Sequence, residues 1–295
     1  MTSFNQIDDV AGIVVLYEPT SEIFHNIQSY ITQVKRLFVV DNSENPDKLI
    51  IEKIKKLNSA EYICLKENIG IAAALNIGAE HAIGGGYRYL LTMDQDSEAT
   101  SNFVEKLIEI HHNYKSVGIA APYPLNRIHK ILPPDNSIHQ INKVITSGAL
   151  LNLRAYIEVG PFMEELFIDY VDFEYCFRLQ MNNYSIYINN DAIIYHSVGN
   201  LIKWKLIRFR FYSTNHSPLR LYYRTRNRFR LRFLYKKYYP SFFRSDMINL
   251  LKELLKVILV ESNKMEKLKM TGLGYLHYKQ NKFGPLKDMR KYKDD

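Results

Sequence analysis

The sequence predicts an α/β chain built on a parallel sheet and followed by a basic, helical extension. Short β-branched apolar runs alternate with helix-length segments through the first hundred residues. Those runs are apolar almost without interruption, as strands covered on both faces are. Charge and aromatic content then change abruptly near residue 200.

Four runs read as strands: GIVVLY (12–17), RLFVVDNS (36–43), EYICLKEN (61–68) and YRYLLTMDQDS (87–97). Helix-length segments at 20–33, 46–58 and 70–83 separate them, which is the rhythm of βαβ units. A further helix follows Ser101, then GIAAPYP and a Pro/Asn-rich loop around LPPDNS. KVITSGALLNL (143–153) reads as a strand, AYIEVGPF as a short helix ending at Gly160, and DFEYCFRLQMNN (172–183) as a helix. SIYINN and AIIYHSVG read as a pair of strands. The predicted division is a catalytic-sized body over 1–200, with halves at about 10–100 and 101–200, and an extension over 201–295.

Of 39 Lys and Arg, 24 lie at or after residue 197, against 7 of 31 Asp and Glu, so the acidic first part and the basic tail imply different partners. The two cysteines, Cys64 and Cys176, have no CxxC or Cys/His neighbour and suggest neither zinc nor a disulfide. Cys64, in an apolar run, is expected to be a small buried residue. The opening MTSFNQIDDV does not resemble a secretory leader, and no uncharged run is long enough to span a bilayer. A soluble or peripheral cytoplasmic chain is expected.

Each of the first four strands ends in polar residues: Tyr17-Glu18, Asp41-Asn42-Ser43, Glu67-Asn68 and Asp94-Gln95-Asp96. Ligands of open α/β sheets bind beyond the carboxyl ends of the strands, so these clusters should meet in one cleft. Asp94 and Asp96 sit one residue apart, where both carboxylates can reach a hard cation, although Asp and Gln are also ordinary turn formers. Asp41 either accepts a hydrogen bond from a pyrimidine ring or starts an Asx turn. The run from Asn68 and Gly70 through Asn76 to Gly78 is rich in small residues. It suits a phosphate at a helix N-terminus, or close packing on the sheet. Asp169 and Asp172 open a helix as caps, or Asp172 serves as a general base; Glu174 and Arg178, four apart, suit an ion pair. His196, closing a strand, is a metal ligand or a structural residue.

Taken in order, VVLYEP, VVDNS, NIGIAAALNIG, TMDQDS, SGALLNL, FIDYVDFEYCFRL, IYHSVG and YYRTRN resemble glycosyltransferase family 2, over about residues 12–231. Within it the resemblance is closest to bacterial rhamnosyltransferases of O-antigen and capsule synthesis. It implies the GT-A fold, a Rossmann-like mixed sheet flanked by helices. It also implies inverting transfer of a sugar, foremost L-rhamnose from dTDP-rhamnose, to a saccharide acceptor carried on a polyprenyl diphosphate. Tyr17, Glu18, Asp41, Asn68, Gly70, Asn76, Asp94 and Gln95 are implied at the nucleotide sugar. Asp96, Asp94 and His196 are implied at a Mn²⁺ or Mg²⁺ ion, and Asp172 as the base. Gly148, Asp169, Arg226 and Asn227 are implied at the acceptor or diphosphate. The family's galactofuranosyl enzymes carry two adjacent aspartates where this chain has Val171 and Asp172, which leaves Asp172 as the single candidate.

UDP-galactofuranose, UDP-galactose or UDP-glucose are the alternative donors. A nucleotidyltransferase would carry a Gly-rich basic loop after its first strand, where this chain has Tyr17-Glu18-Pro19. A non-catalytic sugar-nucleotide module has no need of all three aspartates. The basic aromatic stretch at about 201–260 is expected to dock peripherally on anionic lipid, at the inner face of the bacterial plasma membrane. A solvated helical bundle packed on the catalytic body, at a homodimer contact, is the other reading of this stretch; no RNA-binding signature accompanies it, so nucleic acid is not expected.

Overall fold

The computed structural model describes the backbone of residues 6–126, 131–196, 202–206, 209–213 and 215–286, and the side chains of 7–126, 131–195 and 215–286. The chain divides into two compact units, Met1–Met163 with Asp172–Ser197, and Glu164–Val171 with Val198–Asp295. The second unit therefore takes in 164–171, an excursion that a single boundary near residue 200 does not contain.

In the first unit, β1 (Val10–Leu16), β2 (Arg36–Asp41), β3 (Ala60–Cys64) and β4 (Tyr89–Asp94) pair in parallel in the order β3-β2-β1-β4. The helices between them are α1 (Ile23–Tyr30), α2 (Lys48–Lys55) and α3 (Ile71–Gly84). The second half then makes the sheet mixed. A short β5 (Glu98–Ala99) and α4 (Phe103–Asn113) lead to β6 (Val117–Asn126), β7 (Ile138–Gln140) and β8 (Ala149–Asn152). After α5 (Leu153–Val159) and α6 (Val171–Met181) comes β9 (Ser185–His196). β8 runs antiparallel to β4 and β6, β9 runs parallel to β6, and β5 and β7 pair antiparallel with β9.

Local chemistry sets these ends. Asp47 caps α2 by accepting from the N–H groups of Leu49 and Ile50, and Asn152 caps α5 through Arg154 and Ala155. Val10, Val14, Val39 and Leu91 are fully buried, and each such side chain contributes about 1.5–3 kcal/mol through burial. α3 lies close on β1, since a Cβ at Gly78 would collide with the Ile13 side chain.

Three expectations are corrected. The predicted strand at 143–153 is regular only over Ala149–Asn152, because Thr146 and Ser147 are drawn into side-chain bonds at the end of β4. The two strands expected at 185–199 are one over Ser185–His196, β9, with a register shift against β6 between Pro122 and Tyr123 in place of a turn. Cys64 is exposed, at the end of edge strand β3, whereas Cys176 is buried.

The second unit opens with a two-stranded antiparallel ribbon, β10 (Ile202–Leu206) and β11 (Phe209–Ser213), in a region read from sequence as helical. Three helices follow: α7 (Pro218–Tyr235), α8 (Pro240–Leu259) and α9 (Lys264–Lys279). Ser217 accepts from Arg220 N–H and Pro218 occupies the first turn, where a missing N–H costs nothing. α7 carries six arginines, yet much of it is core. Arg226 and Arg228 are about 1% exposed, and Tyr222 and Tyr223 pack with Phe167, Met270 and Leu286. α9 crosses α7 so closely that a Cβ on Gly274 would strike the backbone carbonyl of Tyr222. No helix among the described residues is long and apolar enough to cross a membrane.

Candidate active site

β1 is the switch point of the sheet, because β2 and β3 lie on one side of it and β4 on the other. A crevice opens beyond the carboxyl ends at such a point. The register places Asp41 beside Leu16 and Asp94 beside Val15, so the two aspartates flank the end of β1.

Side chains knit this rim. Asp41, 1% exposed, accepts from Ser43 N–H (3.0 Å) and from the Tyr62 hydroxyl (2.7 Å). Burial, then this bond to Asp41, holds the Tyr62 phenol well above its ordinary range, so Tyr62 remains a donor. The Ser43 hydroxyl accepts from Glu18 N–H (2.8 Å). Asn42 joins the next strand end through Asn68 Oδ1 (3.0 Å) and Ile69 N–H (2.8 Å), while Gly70 N–H donates to the same Asn68 oxygen (3.1 Å). Gln95 clasps β1 to β4: its Oε1 accepts from Tyr17 N–H (2.9 Å), its Nε2 donates to Tyr17 O (3.2 Å), and its carbonyl accepts from Asn26 (2.8 Å). Asp94, Gln95 and Asp96 are all half-buried at this turn.

The loop 144–148 ties that turn to the acidic end of α6. The Thr92 hydroxyl donates to Thr146 O, and Gly148 N–H donates to Thr92 O (2.7 Å). Ser147 Oγ accepts from Asp94 N–H (3.3 Å) and donates to Ser97 Oγ (2.7 Å). Val144, Ile145 and Thr146 in turn line a small pocket with Asp172 and Cys176. Gly148 has φ +76°, and a Cβ there would press on Ile194 and Pro122, so both the turn and its neighbours require glycine. One five-residue segment is thus bonded to the Asp94 strand end on one side and shares a cavity with Asp172 on the other.

Asp172 is the second residue of α6, and its Oδ1 accepts from Phe173 N–H (2.9 Å). An acid in a helix's first turn faces the positive end of the dipole. The same helix is pinned by Glu174, fully buried, which takes two bonds from Arg178 (2.6 and 2.8 Å). Arg178 also reaches the carbonyls of Val159, Gly160 and Pro161, so the i,i+4 pair is a structural brace. Burial foremost, with the charges of Asp172 and Glu174, pushes the Cys176 thiol up to about 12; it is an inert core thiol.

Other predicted residues have different surroundings. Asn76 is 3% exposed and bonds Phe162 N–H, Phe162 O and the Tyr156 hydroxyl. In the second unit, Asn227 donates to the carbonyls of Leu166, Ile168 and Asp169, and Arg226 donates to those of Glu165, Leu166 and Gly284. Asp169 accepts from Arg220 at 3.2 and 3.3 Å. Phe167, Asp169 and Tyr170 all have positive φ, and the Arg226-Asn227 bonds offset that strain. His196 closes β9 beside Tyr195, whose partner is Glu98, two residues after Asp96; the His196 side chain lies outside the described residues. Tyr62, Thr92, Ser97 and Ser147 were missed from sequence. Ser97 and Thr92 flank the aspartate pair in TMDQDS, which is the one signal that pointed to them.

Among the described residues no three His, Cys, Asp or Glu side chains form a cage for a metal. The donor set still fits a hard divalent ion, which keeps waters and substrate phosphates and needs only one or two carboxylates from the protein. Asp94 and Asp96 are two such carboxylates, one residue apart. Nearby Tyr30, fully buried, is held protonated by burial and then by the charge of Asp94, so it adds no competing anion.

The chain is 30% identical over 285 residues, 88% of its own length and 92% of the relative's, to the dTDP-rhamnosyl transferase RfbF of Shigella flexneri. Residues 15–147 match the model of glycosyl transferase family 2. The chain belongs to glycosyltransferase family 2. This glycosyltransferase is also 22% identical over 202 residues to the low-salt glycan biosynthesis hexosyltransferase Agl10 of Haloferax volcanii, spanning 61% of this chain and 64% of that one. Its fold is that of GT-A enzymes. The first 349 residues of S. aureus TarS superpose with a TM-score of 0.52 at 13% identity, over 92% of this chain and 72% of that one. GalNAc-T7, solved with UDP, GalNAc and Mn²⁺, gives 0.55 at 14% identity over 67% of this chain and 43% of that one.

Proposed function

We propose that this glycosyltransferase moves L-rhamnose from dTDP-rhamnose to a hydroxyl of a saccharide acceptor carried on a polyprenyl diphosphate, in one inverting step. The donor is favoured by the 30% identity to a protein named dTDP-rhamnosyl transferase, spread over nearly its whole length. The mechanism rests on one observation: the 144–148 loop joins the Asp94–Asp96 strand end to the cavity of Asp172.

Asp172 accepts the proton of the acceptor hydroxyl as its oxygen attacks the anomeric carbon. The carbon–oxygen bond to the nucleoside diphosphate breaks on the opposite face, so the configuration inverts. Asp41 and the backbone after β1 bind the nucleoside, and Tyr62 and Ser43 hold the Asp41 carboxylate in place. Asp94 and Asp96, with His196, would hold a divalent ion, whose charge would offset that building on the leaving diphosphate.

The test is release of nucleoside diphosphate from a donor panel of dTDP-rhamnose, UDP-galactofuranose, UDP-galactose and UDP-glucose, with Mn²⁺, Mg²⁺ or EDTA. Turnover highest with dTDP-rhamnose and abolished by EDTA supports the reading. Turnover that is equal across donors overturns the rhamnosyl reading, and full activity in EDTA overturns the metal.

A further inference from the structure

The arginine-rich helix read from sequence as a surface is buried, and the exposed surface of the second unit belongs to the next helix. Two acids occur in α8, Asp246 and Glu253, and both face inward. Asp246 accepts from the Tyr170 hydroxyl (2.8 Å) and from Arg228 (3.2 Å), and Glu253 pairs with Arg224 (2.5 Å) and Arg228 (3.0 Å). Phe243, Leu250 and Val257 lie on the same buried face. The opposite face is an aliphatic stripe at helical spacing: Ile248, Leu251, Leu255, Ile258 and Leu259, each between 48% and 60% exposed. Arg244 and Lys252 stand exposed on that face. At its N-terminal end, Lys236, Lys237, Arg232 and Arg244 line one groove with Met247 and Leu251.

We propose that the outward face of α8 docks on an anionic lipid bilayer, with the aliphatic stripe seated among the acyl chains and the basic residues among the headgroup phosphates. A helix that lies in the plane of a membrane has this design, an apolar face with lysine and arginine along its flanks. Charge decides the occupant. In a two-fold contact between copies this basic patch meets a second basic patch, and with both α8 acids turned inward neither copy's α8 offers an acid to offset it. A bilayer bearing negative headgroups complements both the stripe and its flanks. The inward turn of both α8 acids leaves that face basic, and of the α7 arginines Arg232 lines the groove while Arg226 and Arg228 are buried.

Flotation of the full chain with vesicles tests this without any sugar donor, so its outcome is independent of whether transfer is detected. Vesicles of phosphatidylcholine with phosphatidylglycerol should carry the chain up the gradient, and phosphatidylcholine alone should not. Binding should fall as salt is raised. Leu251→Ser and Leu255→Ser should each weaken it by about tenfold or more. Arg244→Ala and Lys252→Ala should each weaken it roughly fivefold. All four positions are exposed, and an unchanged circular dichroism spectrum and melting temperature confirm that each variant folds. Failure of the wild type to float with anionic vesicles overturns the proposal, as does equal flotation of the leucine variants. A chain that ignores vesicles but dimerises, and is split by Leu255→Ser, assigns the face to a second copy instead.

Discussion

The sheet rim of the first unit and the α7 core of the second are both crowded with polar side chains, but they dispose of them oppositely. At the rim, neutral groups such as Gln95, Asn42, Ser43 and Ser147 tie the strand ends together, with Asp94 and Asp96 half-buried at the same turn. In α7, charge is closed on itself: Arg220 and Arg224 meet Asp169, Arg228 meets Asp246 and Glu253, and Arg230 meets Glu165. Burial opposes the Glu253 charge, but Arg224 and Arg228 outweigh it and hold the carboxyl below its ordinary range. Neutral bonds knit the rim, whereas opposite charges knit the core around α7.

The contrast is broken most sharply by exchanging one carboxylate in each region. Asp172→Asn keeps the shape and the bond from Phe173 N–H but removes the proton acceptor. Loss of a general base costs about 10²–10⁴ in kcat. The expected result is near-complete loss of transfer with donor binding and melting temperature unchanged. Retained transfer would place the base elsewhere. Asp246→Ala should do the reverse. It leaves buried Arg228 with Glu253 as its one remaining carboxylate and removes the acceptor at 2.8 Å from the Tyr170 hydroxyl, a loss of about 1–3 kcal/mol of stability. Denaturant unfolding measures it, and a loss near zero would show that the α7 network is not a core.

Acid separates the units more gently. Burial lowers the His111 pKa to about 4 in the first unit, where its Nε2 meets Leu150 O at 3.1 Å. Burial, then the charges of Arg224 and Arg220, lower His216 to about 4 in the second. Both folded values lie below the free value near 6.5, so the unfolded chain binds more protons between them. Stability is complete above about pH 6.5 and falls toward pH 4, by about 3 kcal/mol for each group. His111→Gln should flatten the pH dependence of melting of the first unit and leave that of the second. Melting curves that overlay the wild type at every pH would refute it.

The first four strands and three helices are legible in the sequence because β-branched runs and helix-length gaps are local signals, and those ends need only residues nearby. The later half is less so. The 144–148 segment has a strand's composition, yet Thr92 and Ser147 bond it to β4, a partnership more than fifty residues away in sequence that no periodicity encodes. The single β9 looked like two strands because Asn189, Asn190 and Asp191 have a turn's composition; Asn189 stays paired with Pro122, and a bulge against β6 absorbs residues 190–192. The burial of α7 was hidden for the same reason: its acids come from 165–169 and from α8, so composition alone showed an unbalanced basic run.

Gln95 gives the smallest effect and the finest discrimination, because it stands between two carboxylates and looks like a ligand for the donor. Its side chain is committed on both ends to the Tyr17 backbone. Net hydrogen bonds contribute about 1 kcal/mol each, so Gln95→Ala should cost about 1–2 kcal/mol of stability by denaturant unfolding. The KM for the donor should stay within about threefold, since a lost clasp acts on folding before it acts on binding. A large rise in KM with stability intact would instead make Gln95 a donor contact, and the contrast between a rim knit by neutral bonds and a core knit by charge would fail at its own centre.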